Sequence, residues 1–451
     1  MQSKALLILS ILLLHVFGGC IGSQDKQVKD ETELDLEVYW GFNFENRNPV
    51  FGEISNANLT AAQRAKLISI IEYHRALEFN SSDIPAEGGN WTHYFVCSDG
   101  KKIDYVYPKP EAFSCNGSDE ILVGEQYNTS WTAFRHKEVI REISVNSALS
   151  YFLTNKSSDG EIAREILLHY AGIYDTLPLQ DKYGNQGLTG GKLSRQSLDE
   201  AVLLIDIAWA HYLITPMLTV EENTKITVGL ILPMVETLQL PANQNRDALS
   251  NWFSYHNAAI SMAAVSTNNR SMMENSLIQW NGLYHQLENG FDENGFWHEG
   301  SLAYHNYTLT AMAINFEAAR YFSIILNNFT WPTKSGISMG IHEPFISHLA
   351  LVKPDGTFPR LNDDIQGTDL GSIIDLLEFT NRYWPNETPS STIIQARNMS
   401  PFLTIRSALW LASVNNVEAD LISLNYESFG LSIIRHNDMY VLLDYGPHGG
   451  W

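Results

Sequence analysis

From about residue 60 to residue 397, apolar side chains recur every three or four positions. That spacing predicts helices over 61–77, 137–153, 160–174, 197–213, 219–238, 247–265, 272–287, 301–326 and 371–383. The connections carry Gly, Pro, Asn and Asp, the residues that stop helices and make turns. No strict internal repeat accompanies the pattern. Long helices following one another in pairs predict an α/α toroid or a helical solenoid. Beyond about Ser400 the period shortens. SFGLSIIRHNDMYVLLDYG, 428–446, alternates β-branched and aromatic runs around a polar break at 435–438, which reads as a hairpin. An isolated hairpin is marginal in water, and the sequence stops soon afterwards at GPHGGW, so the expectation is a domain of which only the start is present.

Charge narrows the range of partners. The 451 residues carry a formal charge of -22, which argues against nucleic acid, where basic groups must neutralise phosphates. The same charge sits awkwardly with an acidic substrate, although bulk charge does not fix the potential inside a cleft. Basic residues gathered in the cleft, with Arg135 and Arg360 as candidates, would reconcile the two.

The N-terminus has the form of an export signal. Lys4 precedes an apolar run from Ala5 to Phe17, too short to span a membrane comfortably, then Gly18, Gly19 and Cys20. Small residues before a cysteine resemble a lipobox, so Cys20 is the expected lipidation site and the anchor to a membrane; ordinary cleavage or an uncleaved anchor would export the protein equally. A polar segment follows, and the protein is expected at the cell surface or in the periplasm. In an exported chain the two remaining cysteines, Cys97 and Cys115, predict a disulfide rather than a metal site. Eleven N-x-S/T sequons agree with export, and the one at Asn306 lies among the candidate site residues.

Three patches carry chemistry. In SNWFSYHNAAI, 250–260, polar and aromatic residues lead into a small-residue helix, with Asn251 and Tyr255 on one face and Trp252 and His256 on the next. In FDENGFWHEGSLAYHNYTL, 291–309, a turn leads to Ser301 as N-cap, so Tyr304 and His305 fall in the first helical turn. Free N–H groups at a helix start suit an anion, and Trp297 offers a sugar-stacking face. Core packing and capping account equally for any one of these residues, Tyr307 above all. In KPDGTFPRLNDDIQG, 353–367, Arg360 can pair with a carboxylate, while Asp363 and Asp364 serve as acid or base, as a cation site, or in loop hydrogen bonds.

In their order and spacing these patches resemble the heparinase II/III-like and oligoalginate-lyase group of polysaccharide lyases. GKLSRQSLDEAVLLIDIAWAHYLI (191–214) and the final LLDYGPHGGW share in the resemblance, which runs from about Tyr94 onward. It implies a mainly α fold: a signal peptide over 1–20, a tether over 21–40, an (α/α) toroid over 41–400, and the start of an antiparallel β-sandwich over 401–451. It also implies β-elimination beside a uronic acid. Asn or His neutralises the sugar carboxylate, a base takes the C5 proton, and a Tyr protonates the leaving oxygen. By motif position Tyr304 is the catalytic tyrosine and Asn251 the neutralising residue. His256 and Asn257 are further candidates as base or second neutraliser. Relatives often carry His directly after that Asn; here it is Trp252. Trp252, Trp297, Glu299, His305 and Arg360 are the implied substrate contacts. No cofactor is expected within this chain, though the resemblance allows a structural zinc in the remainder of a sandwich. The expected partner is an anionic uronate polysaccharide or oligosaccharide.

Two other readings use the same residues. An inverting glycoside hydrolase would take Glu299 as acid and Asp363 or Asp364 as base, which requires carboxyls about 6.5–9.5 Å apart. A lipid-anchored glycan-binding protein would need only Trp252, Trp297 and the helical scaffold.

Overall fold

The computed structural model describes residues 43–44, 60–74, 79–186, 189–244, 249–362, 364, 367–400, 404–418, 422–436 and 439–446. The expected signal peptide, Cys20 and the tether lie outside them, as does Asp363. Among the described residues no helix is long and apolar enough to cross a membrane.

Four long helical segments form an inner layer. Helix α1 (Glu125–Lys137) continues through a π-helical stretch (Glu138–Ser144) into α2 (Val145–Thr154). The others are α4 (Ser197–Ile214), α7 (Asn251–Thr267) and α10 (Leu302–Tyr321). The last three are buried on nearly every face, as helices at the centre of a large core must be. Their side-chain pairings show them to be parallel. At one end Ser197 and Trp252 line the same cavity, and Asn251 donates to Glu299 just ahead of α10. At the other end His211 meets Ser266 at 2.6 Å, and Tyr321 donates to Asn268 at 3.4 Å. Lys137 pairs with Asp199 and Arg141 with Asp206, so the first segment runs the same way.

Parallel neighbours need return segments. These are α3 (Ser157–Ile173); the pair α5 (Val220–Ile226) and α6 (Leu232–Leu238), with a π-helical joint between them; and α8 (Arg270–Ile278) with α9 (Leu283–Gly290). Local chemistry sets the reversals. Asn155 (φ 55°) and Asn268 (φ 49°) end α2 and α7 in the left-handed conformation. Thr219 and Glu222 form a capping box at the start of α5. Alternation of parallel inner helices with antiparallel outer ones is the α/α organisation expected from the periodicity. The helix expected over 272–287 is broken at Gln279–Gly282. The helix expected from 137 begins twelve residues earlier, because its first turns are polar and carry no apolar stripe.

The hairpin is present with one additional strand. Leu424–Tyr426, Leu431–His436 and Met439–Asp444 form an antiparallel sheet in that order. Leu431 and Ile433 pack with Phe296, Leu302, Phe358 and Leu361. Arg435 donates to the carbonyls of Ala350 and Val352 at 2.7 Å each, and Tyr440 to that of Leu351 at 3.0 Å. A sheet too small to stand alone is thus fixed to the helical body. Cys97 and Cys115 form the expected disulfide, with Cα atoms 6.0 Å apart.

Candidate active site

The turn 291–300 is built to hold its residues rigidly. Asp292 Oδ1 accepts from the backbone N–H groups of Asn294 and Phe296 at 3.0 and 2.8 Å. Gly295 adopts φ +80°, a conformation other residues rarely accept. Gly290 is required for space: a Cβ there would lie 2.2 Å from the Trp297 ring. The sheet closes over the turn from outside, with Phe429 stacked on Phe296 at 4.5 Å and Ser428 donating to Asp292 at 2.6 Å. The loop 353–362 joins the same cluster through Phe358 and Leu361. All three sequence patches therefore meet at one end of the inner helices.

At their meeting point, Glu299 Oε2 accepts from Trp297 Nε1 at 2.6 Å and from Asn251 Nδ2 at 3.4 Å. Asn251 is 5% exposed, and its Oδ1 has no partner among the described residues. An amide nitrogen carries two donors, so one remains for an incoming acceptor. Tyr304 is half-buried in the first turn of α10. His298 Nε2 contacts the Leu249 carbonyl at 3.0 Å and ties the turn to the start of α7.

Several residues singled out by type sit in structural roles instead. Trp297 is 1% exposed and set edge-on to Phe291, so its face is not open to a sugar. His305 is sealed: Nδ1 accepts from the Trp297 N–H at 3.1 Å, and Nε2 donates to the Pro344 carbonyl at 3.0 Å. Burial, with His348 beside it, holds His305 well below the usual imidazole range. Asn257 is engaged at both ends, donating to the Asn281 carbonyl at 2.7 Å and accepting from Gln279 at 2.8 Å. His256 lies inside α7, edge-on to Phe253. Asn306 is 5% exposed within α10, which leaves no room for a glycan on its sequon. Asp364 is buried. Arg360 is exposed beside Gly367.

The cations proposed from sequence need one correction. Arg135 is buried, pairs with Glu138 at 2.5 Å, and stacks over Tyr107 at 3.9 Å, so it braces the scaffold. Other charges line the inner helices. Lys137 pairs with Asp199 at 3.2 Å, and Arg141 and Arg406 flank Asp206 at 3.0 and 3.6 Å. Beside them Tyr255 stacks on Tyr307 at 4.2 Å. Burial pushes the Tyr255 phenol up to about 12 and Tyr307 higher still, so both stay protonated near neutrality. A cavity of about 170 Å3 opens next to Asn251, lined by Lys182, Tyr183, Arg195, Ser197, Asn243 and Trp252. The segment 191–214 carried Arg195, Asp199 and Asp206 in plain view. Nothing in its helical pattern marks which of them face the cleft.

The starts of α4, α7 and α10 lie together, and none has a side-chain cap. Each contributes roughly half a positive charge at its N-terminus. These positive helix ends stand beside the carboxylates of Asp199, Glu200 and Glu299.

No family model matches the chain. In sequence it is similar to an exo-oligoalginate lyase of Saccharophagus degradans, 25% identical over 241 residues, which are 52% of this chain and 32% of that protein. It is also similar to an alginate lyase of Stenotrophomonas maltophilia, 27% identical over 164 residues, 35% of this chain and 22% of that one. The match thus spans about a third or less of these relatives' length. Among solved structures, alginate lyase A1-III of Sphingomonas species A1 aligns with a TM-score of 0.46 at 14% identity, covering 80% of this chain and 99% of that one. The resemblance to the polysaccharide-lyase group read from the motifs is borne out by the two sequence relatives.

Proposed function

We propose that this chain acts as an exported polysaccharide lyase that cleaves a uronic-acid-containing polysaccharide by β-elimination. The observation that carries this reading is the Asn251–Glu299 pair at the joint mouth of three parallel helices, with Tyr304 one turn inside. The relatives' names, exo-oligoalginate lyase and alginate lyase, favour alginate or its oligomers as substrate.

In this mechanism the sugar carboxylate accepts from the second Asn251 N–H, with the helix N-termini adding positive potential. Drawing electron density into that carboxylate makes the C5 proton acidic. Tyr304 takes or returns protons at C5 and at the leaving oxygen. A positioned proton transfer contributes roughly 10²–10⁴-fold. Glu299 orients Asn251 and does not reach for a proton. Trp252, half-exposed at the cavity, takes over the stacking role assigned by sequence to Trp297. Lipid attachment at Cys20 and location at the cell surface or in the periplasm complete the proposal.

Incubation with alginate, heparan sulfate, hyaluronan, chondroitin and pectin under ultraviolet detection tests the reaction class. Elimination leaves an absorbing 4,5-unsaturated uronate. Rising absorbance on one polymer is the expected result. New reducing ends without absorbance would establish a hydrolase instead.

A further inference from the structure

Eleven N-x-S/T triplets are more than the composition supplies. With 35 Asn, 38 Ser and 24 Thr in 451 residues, about five would arise by chance. The fold sorts them by place. Asn90 and Asn306 stand near the mouth, and both are 5% exposed. Asn90 follows Gly89, which bridges to Ser194 ahead of α4, and Asn306 lies early in α10. Asn128 is half-buried in the first turn of α1. Asn80, Asn116 and Asn398 are exposed elsewhere, and Asn116 commits its Nδ2 to Asp104. Asn58 lies outside the described residues.

Four others share the opposite end of the inner helices. Asn155 closes α2 in the left-handed conformation. Asn269 sits between α7 and α8, where the adjacent Arg270 donates to the Phe322 carbonyl just past α10 at 2.9 Å. Asn328 follows Asn327, whose side chain meets Arg320 in the last turn of α10 at 3.5 Å. Asn386 comes two residues after Trp384, which donates to the Asn327 carbonyl at 3.2 Å. All four are exposed. Where their side chains are engaged, it is through Oδ1: Asn269 accepts from the Met272 N–H at 3.0 Å and Asn386 from Asn415 at 2.9 Å. The Nδ2 atoms have no partner among the described residues.

A glycan is bulky and hydrated, so its place decides what it blocks. A chain modified at Asn90 or Asn306 could not close its core. Helices α7 and α10, of 17 and 20 residues, put the far end about 25–30 Å from the mouth. Glycans there project into water and leave the mouth open to a polymer.

We infer that the end opposite the mouth is a modification site, with N-linked oligosaccharides on Nδ2 of Asn155, Asn269, Asn328 and Asn386, while Asn90 and Asn306 stay bare. The co-reactant is an oligosaccharide carried on a lipid diphosphate. Its anomeric C–O bond breaks, the diphosphate leaves with the electron pair, an Nδ2–C bond forms, and the displaced Nδ2 proton passes to solvent. The inference rests on the export in the proposed reading and not on the elimination chemistry.

The test is made on full-length protein purified from the cells that produce it. An amidase that releases N-glycans converts each carrier asparagine to aspartate, and mass spectrometry of the peptides, with and without the amidase, locates the conversions. Conversion at Asn155, Asn269, Asn328 and Asn386, with Asn90 and Asn306 unchanged, is the expected result. Replacing those four together by Gln should remove the glycan mass and leave kcat and KM on oligouronates unchanged. Protein recovered outside the cell or on its surface with all four intact would overturn the glycosylated end and leave export and lyase activity standing. A glycan on Asn90 or Asn306 of folded protein, or a shifted KM in the fourfold variant, would overturn the placement. Protein confined to the cytosol would overturn export and the inference together.

Discussion

Asn251 and Asn257 lie six residues apart on one helix and look interchangeable as sequence, yet truncating each should have opposite consequences. Asn251 makes a single long hydrogen bond, 3.4 Å to Glu299, at the edge of what counts as one. Its Oδ1 is buried without a partner among the described residues, and such an atom costs about 1–3 kcal/mol. Asn251→Ala removes both, so the two effects largely cancel and stability should stay within about 1 kcal/mol. Turnover should fall about 10²–10³-fold, the usual loss when one donor to a developing anion is deleted. Asn257 holds the Asn281 carbonyl and the Gln279 amide at 2.7 and 2.8 Å. Asn257→Ala strands a buried carbonyl and a partly exposed amide, for about 2–3 kcal/mol of lost stability. The variant that remains folded should turn over within a few-fold of wild type. Urea denaturation gives the first quantity, and the rate of unsaturated-uronate formation, normalised to folded protein, gives the second. If Asn251→Ala unfolds early but keeps its rate, or Asn257→Ala keeps its stability and loses its rate, the assignment of the two roles is wrong.

Further outcomes follow from the same geometry. Tyr304→Phe should abolish elimination and retain oligouronate affinity; retained turnover would remove Tyr304 from the mechanism. Opening the Cys97–Cys115 bridge, which spans 18 positions, by Cys97→Ser with Cys115→Ser should cost about 3 kcal/mol in the denaturation free energy. Burial holds His136, His211 and His348 near 4 in the folded chain against 6.5 when unfolded, so the unfolded chain takes up protons first. Their stabilisation is complete above about 6.5 and is lost as pH falls toward about 4, at up to ~1.4 kcal/mol per pH unit for each. Urea midpoints measured from pH 7 down to pH 4.5 should fall accordingly, and His136→Gln should flatten the trend.

Helix periodicity was legible because a buried helix must be apolar at a fixed spacing whatever it packs against. The α/α class, the late strands and the disulfide partners could all be read from local pattern and composition. The patch around Tyr304 was legible as a motif because its turn residues, Asp292 and Gly295, are dictated by backbone geometry within a few positions, although Ser301, expected as a cap, makes no capping bond. Local sequence could not distinguish a displayed side chain from a buried one. Trp297 and His305 have the chemistry of ligand contacts, but the turn folds them inward, where Glu299, Pro344 and Phe291 occupy their faces and polar atoms. Trp252, next to a residue of obvious interest, is the half-exposed aromatic of the cavity because α4 and α7 run parallel. How the acidic net charge bears on the site is likewise decided in three dimensions. Net charge sums over the whole surface, whereas the potential at the mouth depends on which helix starts, lysines and arginines converge there. Arg195, Asn251 and Tyr304, far apart in sequence, share that region because α4, α7 and α10 begin at the same end, and Lys137 joins them from within the first inner segment through Asp199.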